Sequence, residues 1–170
     1  MSLKETVILK FGGASVSSTE QFSRIAEIIL NKSNELRVVV VVSAMGDTTD
    51  QLLSLAKRVH PDPPPREQDM LVSVGERISI ALLAMALHLK NKEAISLTGS
   101  QSGIITSMKH AEAQIIDVKP HRILKALEEG KVVIVHSRRA KNATRSDCER
   151  WRQRCRNATF PLHQSPAGAR

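Results

Sequence analysis

Residues 38–50 read VVVVVSAMGDTTD. Five consecutive β-branched residues suit a strand covered on both faces, as in the middle of a parallel sheet. The turn that follows, Ser43-Ala44-Met45-Gly46, leads to Asp47, a residue type that caps helices, and then to Leu52, Leu53, Leu55 and Ala56. A buried strand, a small polar turn and a helix form the repeating unit of doubly covered α/β sheets.

The same unit stands upstream. Val7 to Phe11 is a short apolar run ended by Gly12-Gly13. Ser18 and Gln21 have capping-box spacing, with Phe22, Ile25, Ile28 and Ile29 following at helical intervals. Downstream, His60 to Pro65 contains four prolines and reads as a surface connection. A long helix is expected from about Gln68 to about Leu89, apolar over most of its circumference from Ile78 onward and therefore buried. Ala94 to Leu97 reads as a strand, and Ile104 to Thr106 and Gln114 to Ile116 as shorter ones. Pro120 to Glu129 reads as a helix stopped by Gly130, and Val132 to Val135 as another buried strand. The pattern predicts an α/β fold of three αβα layers around a mostly parallel sheet. Ligands bind such sheets at the strand C-terminal edge, here marked by Gly12-Gly13, Ser43 and whatever follows Val135.

Composition narrows the function classes. The 170 residues are 41% hydrophobic and 25% charged, as in globular proteins, and suffice for one domain. Aromatics are 2%, which argues against folds that stack nucleic-acid bases on aromatic platforms. No uninterrupted apolar run approaches the roughly 18 residues that span a bilayer. Residues 1–11 are too charged for a signal peptide, so a cytoplasmic protein without a membrane partner is expected. The net charge of +8 is concentrated in residues 137–170, which hold nine basic and two acidic side chains. That segment also holds Cys148, Cys155 and Trp151 and has neither helical nor strand periodicity. It reads as a disordered basic tail, leaving residues 1–136 as the structured part. Those 136 residues contain no cysteine, hence no disulfide framework or thiolate metal site. The six histidines show no metal-ligand spacing, and Cys148 and Cys155 with His163 make no recognised zinc pattern, so no metal ligands are assigned.

Three segments can carry chemistry. Lys10-Phe11-Gly12-Gly13-Ala14-Ser15 places an ammonium and two glycines at the end of a buried strand, which suits phosphate. It is not a Walker A motif, and a strand-ending turn with a solvated lysine is the commoner meaning of so short a pattern. Residues 43–50 offer hydroxyls and helix N-terminal N–H groups to a carboxylate or phosphate, or simply cap a helix through Asp47 or Thr48. Gly75-Glu76-Arg77 puts a glutamate either on an exposed helical turn or in a cleft, ready for an ammonium. A helical glycine beside it is costly unless something approaches closely.

Together, KFGGAS, VVVVSAMGDTTDQLLSLA and REQDMLVSVGERISIALLAMAL, with the later SLTGSQSGIIT and ALEEGKVVIV, resemble the N-terminal part of the aspartate kinase branch of the amino acid kinase family. The resemblance covers residues 5 to about 135. It implies a carbamate kinase-like fold and transfer of the γ-phosphoryl of ATP, with Mg2+, to the side-chain carboxylate of L-aspartate. That reaction begins lysine, threonine and methionine synthesis, and the family is often homo-oligomeric. By the resemblance Lys10 is the catalytic, phosphate-binding cation, and Gly12, Gly13 and Ser15 complete the ATP-phosphate loop. Ser43, Thr49 and Glu76 form the aspartate site, Glu76 facing the substrate ammonium. Ala14 stands where the branch often has threonine.

Beyond Val135 the chain departs from the branch, lacking its Gly-Arg-Gly-Gly-Ser-Asp loop and Asp-Pro-Arg motif. A truncated, inactive kinase with an uncovered sheet edge after Val135 is therefore expected. A sibling kinase acting on glutamate, acetylglutamate or a nucleotide, and a basic fragment binding nucleic acid non-specifically, are the alternatives; no specific nucleic-acid partner is expected. The abrupt change near His136 reads as a shift of reading frame, with a deliberate alternative C-terminus as the other reading. Trp151 to Cys155 can be encoded TGG CGN CAR CGN TGY, which admits Gly-Gly-Ser-Asp when read one nucleotide later.

Overall fold

In the computed structural model, which describes residues 5–107 and 115–136, the valine run becomes strand β2 (Arg37–Val42). Parallel pairing joins it to β1 (Thr6–Phe11) on one side and β6 (Val132–His136) on the other. Strand β3 (Ala94–Leu97) pairs with the far side of β6, giving the order β1-β2-β6-β3. The connecting helices are α1 (Thr19–Ser33), α2 (Thr48–Val59), α3 (Pro65–Leu89) and α4 (His121–Glu128).

Strand alternation sorts the core into two layers. Val38, Val40 and Val42 with Val132 and Ile134 face α1 and α3, where Ile29, Leu83 and Leu87 are fully buried. Val39, Val133 and Val135 face α4 through Ile123, Ala126 and Leu127. Helices on both faces of a parallel sheet make the three-layer α/β arrangement expected from the sequence.

The last strand is not itself an edge of the sheet. Residues 132–136 enter the sheet between β2 and β3, and all five are buried. The edges of this sheet among the described residues are β1 and β3, which arrive earlier in the chain. The last strand lies centrally because α4 returns it across the face of the sheet into the gap.

Other expectations shift in detail. Strands β4 (Ile104–Thr106) and β5 (Ile115–Val118) form a separate antiparallel ribbon rather than joining the parallel sheet. Ser18 makes no side-chain cap to α1. Its hydroxyl bonds the Glu20 carboxylate instead, holding that group below its ordinary pKa. Helix α3 starts at Pro65, a favoured first-turn position, and is less buried than its composition predicts. Met70, Val74, Ile78, Met85 and Leu89 are exposed. By length and composition α3 is apolar enough to cross a membrane, although Glu76 and Arg77 interrupt its apolar run as they do in the sequence. Here it packs against α1, α2, β3 and β6. The tail, residues 137–170, lies outside the described residues, as does Gln114 of the expected fifth strand.

Candidate active site

The loops after β1 and β2 are locked together where the strands end. Lys10 and Phe11 pair in register with Val41 and Val42. The Ser43 N–H donates to the Phe11 carbonyl at 3.1 Å, and the Gly46 N–H donates to the Gly13 carbonyl at 3.4 Å. A Cβ built on Gly13 would stand 3.2 Å from the Ala44 oxygen, so a side chain there would press one loop off the other. Gly12 faces open space, and Lys10 and Ser15 are exposed. The Ser15 N–H is already engaged by the Gly12 carbonyl at 2.9 Å, leaving its hydroxyl as the group it can offer.

Helix α3 closes the other side. A Cβ on Gly75 would lie 3.2 Å from Thr48 Cγ2 and 3.4 Å from Ala44 Cβ. The close approach that a helical glycine suggested is thus the packing of α3 against the start of α2 and the loop before it. Asp47 precedes α2 without capping it by its side chain; its carboxylate accepts from Gln51 Nε2 at 3.0 Å. The Thr48 hydroxyl donates to the Met45 carbonyl at 2.6 Å, bracing the turn from within. Thr49, in the first turn of α2, is half-buried.

Glu76 is buried, not on a solvated turn. Its Oε2 lies 2.8 Å from Nδ1 of His136, the last residue of β6. His136 pairs in register with Val42, next to Ser43, and its Nε2 accepts the Gly99 N–H at 3.1 Å. The site therefore spans β1, β2, α3 and β6. Sequence reasoning placed His136 among scattered histidines; position at a strand end was its only signal, and strand order was needed to use it.

Of the residues expected from the sequence, Gly12, Gly13, Ser15 and Lys10 lie on the first loop and strand end. Ser43 and Thr49 lie on the second, and Glu76, on α3, contacts His136 at the end of β6. All seven belong to one end of one sheet, where α/β folds bind ligands. The exposed lysine and the glycine with open space around it fit an anionic phosphate group. Among the described residues no group of three His, Cys, Asp or Glu is placed to hold a metal ion.

The amino acid kinase family profile matches residues 5–154, most of the chain and past the boundary drawn at His136. The chain belongs to the amino acid kinase family. Within this family it is similar to the aspartokinase of Mycobacterium tuberculosis, 57% identical over 130 residues, 76% of this chain and 31% of that protein. The aspartokinase of Corynebacterium glutamicum is 53% identical over the same length and share. Among solved structures, aspartate kinase from Synechocystis superposes with a TM-score of 0.66 at 45% identity, covering 76% of this chain and 21% of that one. UMP kinase from Ureaplasma parvum, 23% identical with a TM-score of 0.55 over 79% of this chain and 55% of its own, shares the fold. This amino acid kinase chain spans about a third of the length of the curated relatives it matches.

Proposed function

We propose that this chain is the amino-terminal part of an aspartate kinase catalytic domain, carrying the aspartate pocket and the first phosphate-binding loop. The observation that carries the reading is the interlocking of the β1 and β2 loops at the strand ends, with α3 packed against them through Gly75 and Glu76 buried next to it, an arrangement that supports a phosphate and an ammonium subsite side by side. One of the similar solved proteins, aspartokinase III of E. coli, is a complex with aspartate and ADP, and its 22% identity supports the fold.

In this reading a side-chain oxygen of L-aspartate attacks the γ-phosphorus of ATP. The bond from that phosphorus to the bridging oxygen breaks, and its electron pair leaves with ADP. A carboxylate with a solution pKa of about 4 is already ionised at neutral pH, so no general base is needed. What remains is bringing two anions together. Lys10 neutralises phosphate charge, Gly12 and Gly13 let backbone approach the oxygens, and the Ser43 and Thr49 hydroxyls orient the amino acid. Glu76 holds its ammonium. Mg2+ enters with ATP, and a cytoplasmic setting is part of the same proposal.

The test transplants residues 1–135 in place of the matching segment of the Corynebacterium glutamicum aspartokinase. The chimera is expected to consume ATP in the presence of L-aspartate, and Lys10→Ala or Glu76→Gln to lower kcat/KM about a hundredfold or more. A chimera that phosphorylates a different acceptor, or that tolerates both substitutions, would overturn the reading. The 170-residue chain alone is expected to turn over at less than about a hundredth of that rate, because phosphoryl transfer needs several positioned groups acting as a unit.

We further propose that residues 137–170 are a separate basic segment produced by a shift of reading frame near His136. The coding DNA decides it: a kinase-like continuation in one shifted frame past codon 136 is expected, and its absence from both refutes the idea.

A further inference from the structure

His136 has no part in the proposed reaction, yet it is buried against the carboxylate that reaction needs. The hydrogen-bond network assigns its tautomer. Because the Gly99 N–H donates to Nε2, that nitrogen is an acceptor, and the neutral ring carries its proton on Nδ1, toward Glu76. His136 Nδ1 lies 2.8 Å from the Glu76 carboxylate. The approach lies off the N–H axis, so Nδ1 has no aligned acceptor although it is shut from solvent.

A ring N–H and a substrate ammonium seek the same oxygens. We propose that His136 occupies the ammonium position at Glu76, so that this chain holds its own occupant in the amino-acid pocket and an incoming α-amino acid must displace the ring. The inference rests on Glu76 being the ammonium receptor. Displacement is feasible because the ring is held by one neutral hydrogen bond at Gly99 and a misaligned contact at Glu76. An ammonium would replace these with a charge-assisted pair, the stronger kind of bond. Without any occupant, the buried Glu76 carboxylate would lose its contact with the ring, which is costly. The ring relieves that cost in the empty pocket and opposes binding for the same reason.

The test compares the full chain with His136→Ala, and with His136→Asn as a variant that keeps a polar group at the strand end. Labelling with a water-soluble carbodiimide and glycinamide, read by peptide mass spectrometry, measures access to Glu76 without any substrate. In the parent, Glu76 is expected to react about tenfold or more slowly than exposed Glu67, and in both variants to approach it. By calorimetry, L-aspartate is expected to bind His136→Ala about tenfold more tightly than the parent, a gain that simple destabilisation does not produce. Equal labelling of Glu76 and Glu67 in the parent, unchanged protection in both variants, or aspartate affinity that stays level or falls overturns the proposal. Uncovering of Glu76 without aspartate binding in any of the three chains supports the ring as its cover and overturns Glu76 as the ammonium receptor.

Discussion

Leu83→Ala is expected to destabilise the domain by about 2–5 kcal/mol, the range for deleting a buried leucine side chain whose surroundings relax only partly. Leu83 has no exposed surface and lies in the layer between α3 and the sheet, in one cluster with Ile29, Val40 and Ile134. Because α3 also packs Gly75 against the loop before α2 and Glu76 against His136, a cavity there loosens the element that positions the candidate site. Against total stabilities of about 5–15 kcal/mol for single domains, the loss is a large fraction. Urea unfolding is the measurement, with a lower midpoint at unchanged slope expected. Met85→Ala, two residues on but exposed, is the control and is expected to stay within about 0.5 kcal/mol. A Leu83→Ala chain as stable as that control would refute the placement of α3 against the sheet.

Gly103→Ala is expected to cost about 2–3 kcal/mol, from two separate causes. Gly103 has φ +78°, a left-handed conformation that costs a residue with a Cβ about 1–2 kcal/mol. The added Cβ would also fall 1.9 Å from the Lys119 oxygen, a backbone atom that cannot swing away. Relief requires moving residue 119, whose N–H donates to the Gly103 carbonyl at 2.8 Å, and losing that bond adds about 0.5–1.5 kcal/mol. Gly130→Ala separates the causes. Gly130 has the same φ but open space where the Cβ would go, so only the conformational cost of about 1–2 kcal/mol is expected. Equal losses at the two positions would show that the contact between Gly103 and Lys119 does not constrain the ribbon of β4 and β5.

Much of the fold was legible in the sequence, because each main signal is local. The run Val38–Val42 specifies a strand covered on both faces by its side chains alone, and Gly12-Gly13 and Ser43 mark strand ends by backbone freedom and polarity. The spacing of Phe22, Ile25 and Ile29 specifies the buried face of α1 in the same way. Three readings failed for one common reason. Whether Ser18 or Asp47 caps its helix, and whether Ile78 and Met85 are covered, depends on which neighbour competes for them, and neighbours are set by packing.

The candidate site divides along the same line. Lys10, Gly12, Gly13, Ser15, Ser43 and Thr49 were legible as two short segments, each following an apolar strand. Glu76 was left between solvent and cleft, because a helical pattern gives a residue's face but not what lies opposite it. Tertiary structure alone decided that β6 enters between β2 and β3, and with that order came the pairing of His136 with Val42 and its contact with Glu76, 60 positions earlier in the chain. Local sequence determines strand and helix because side-chain period and backbone freedom act over a few residues. Strand order, and the burial of the Glu76–His136 contact that follows from it, is settled only when distant elements compete for the same gap in the sheet.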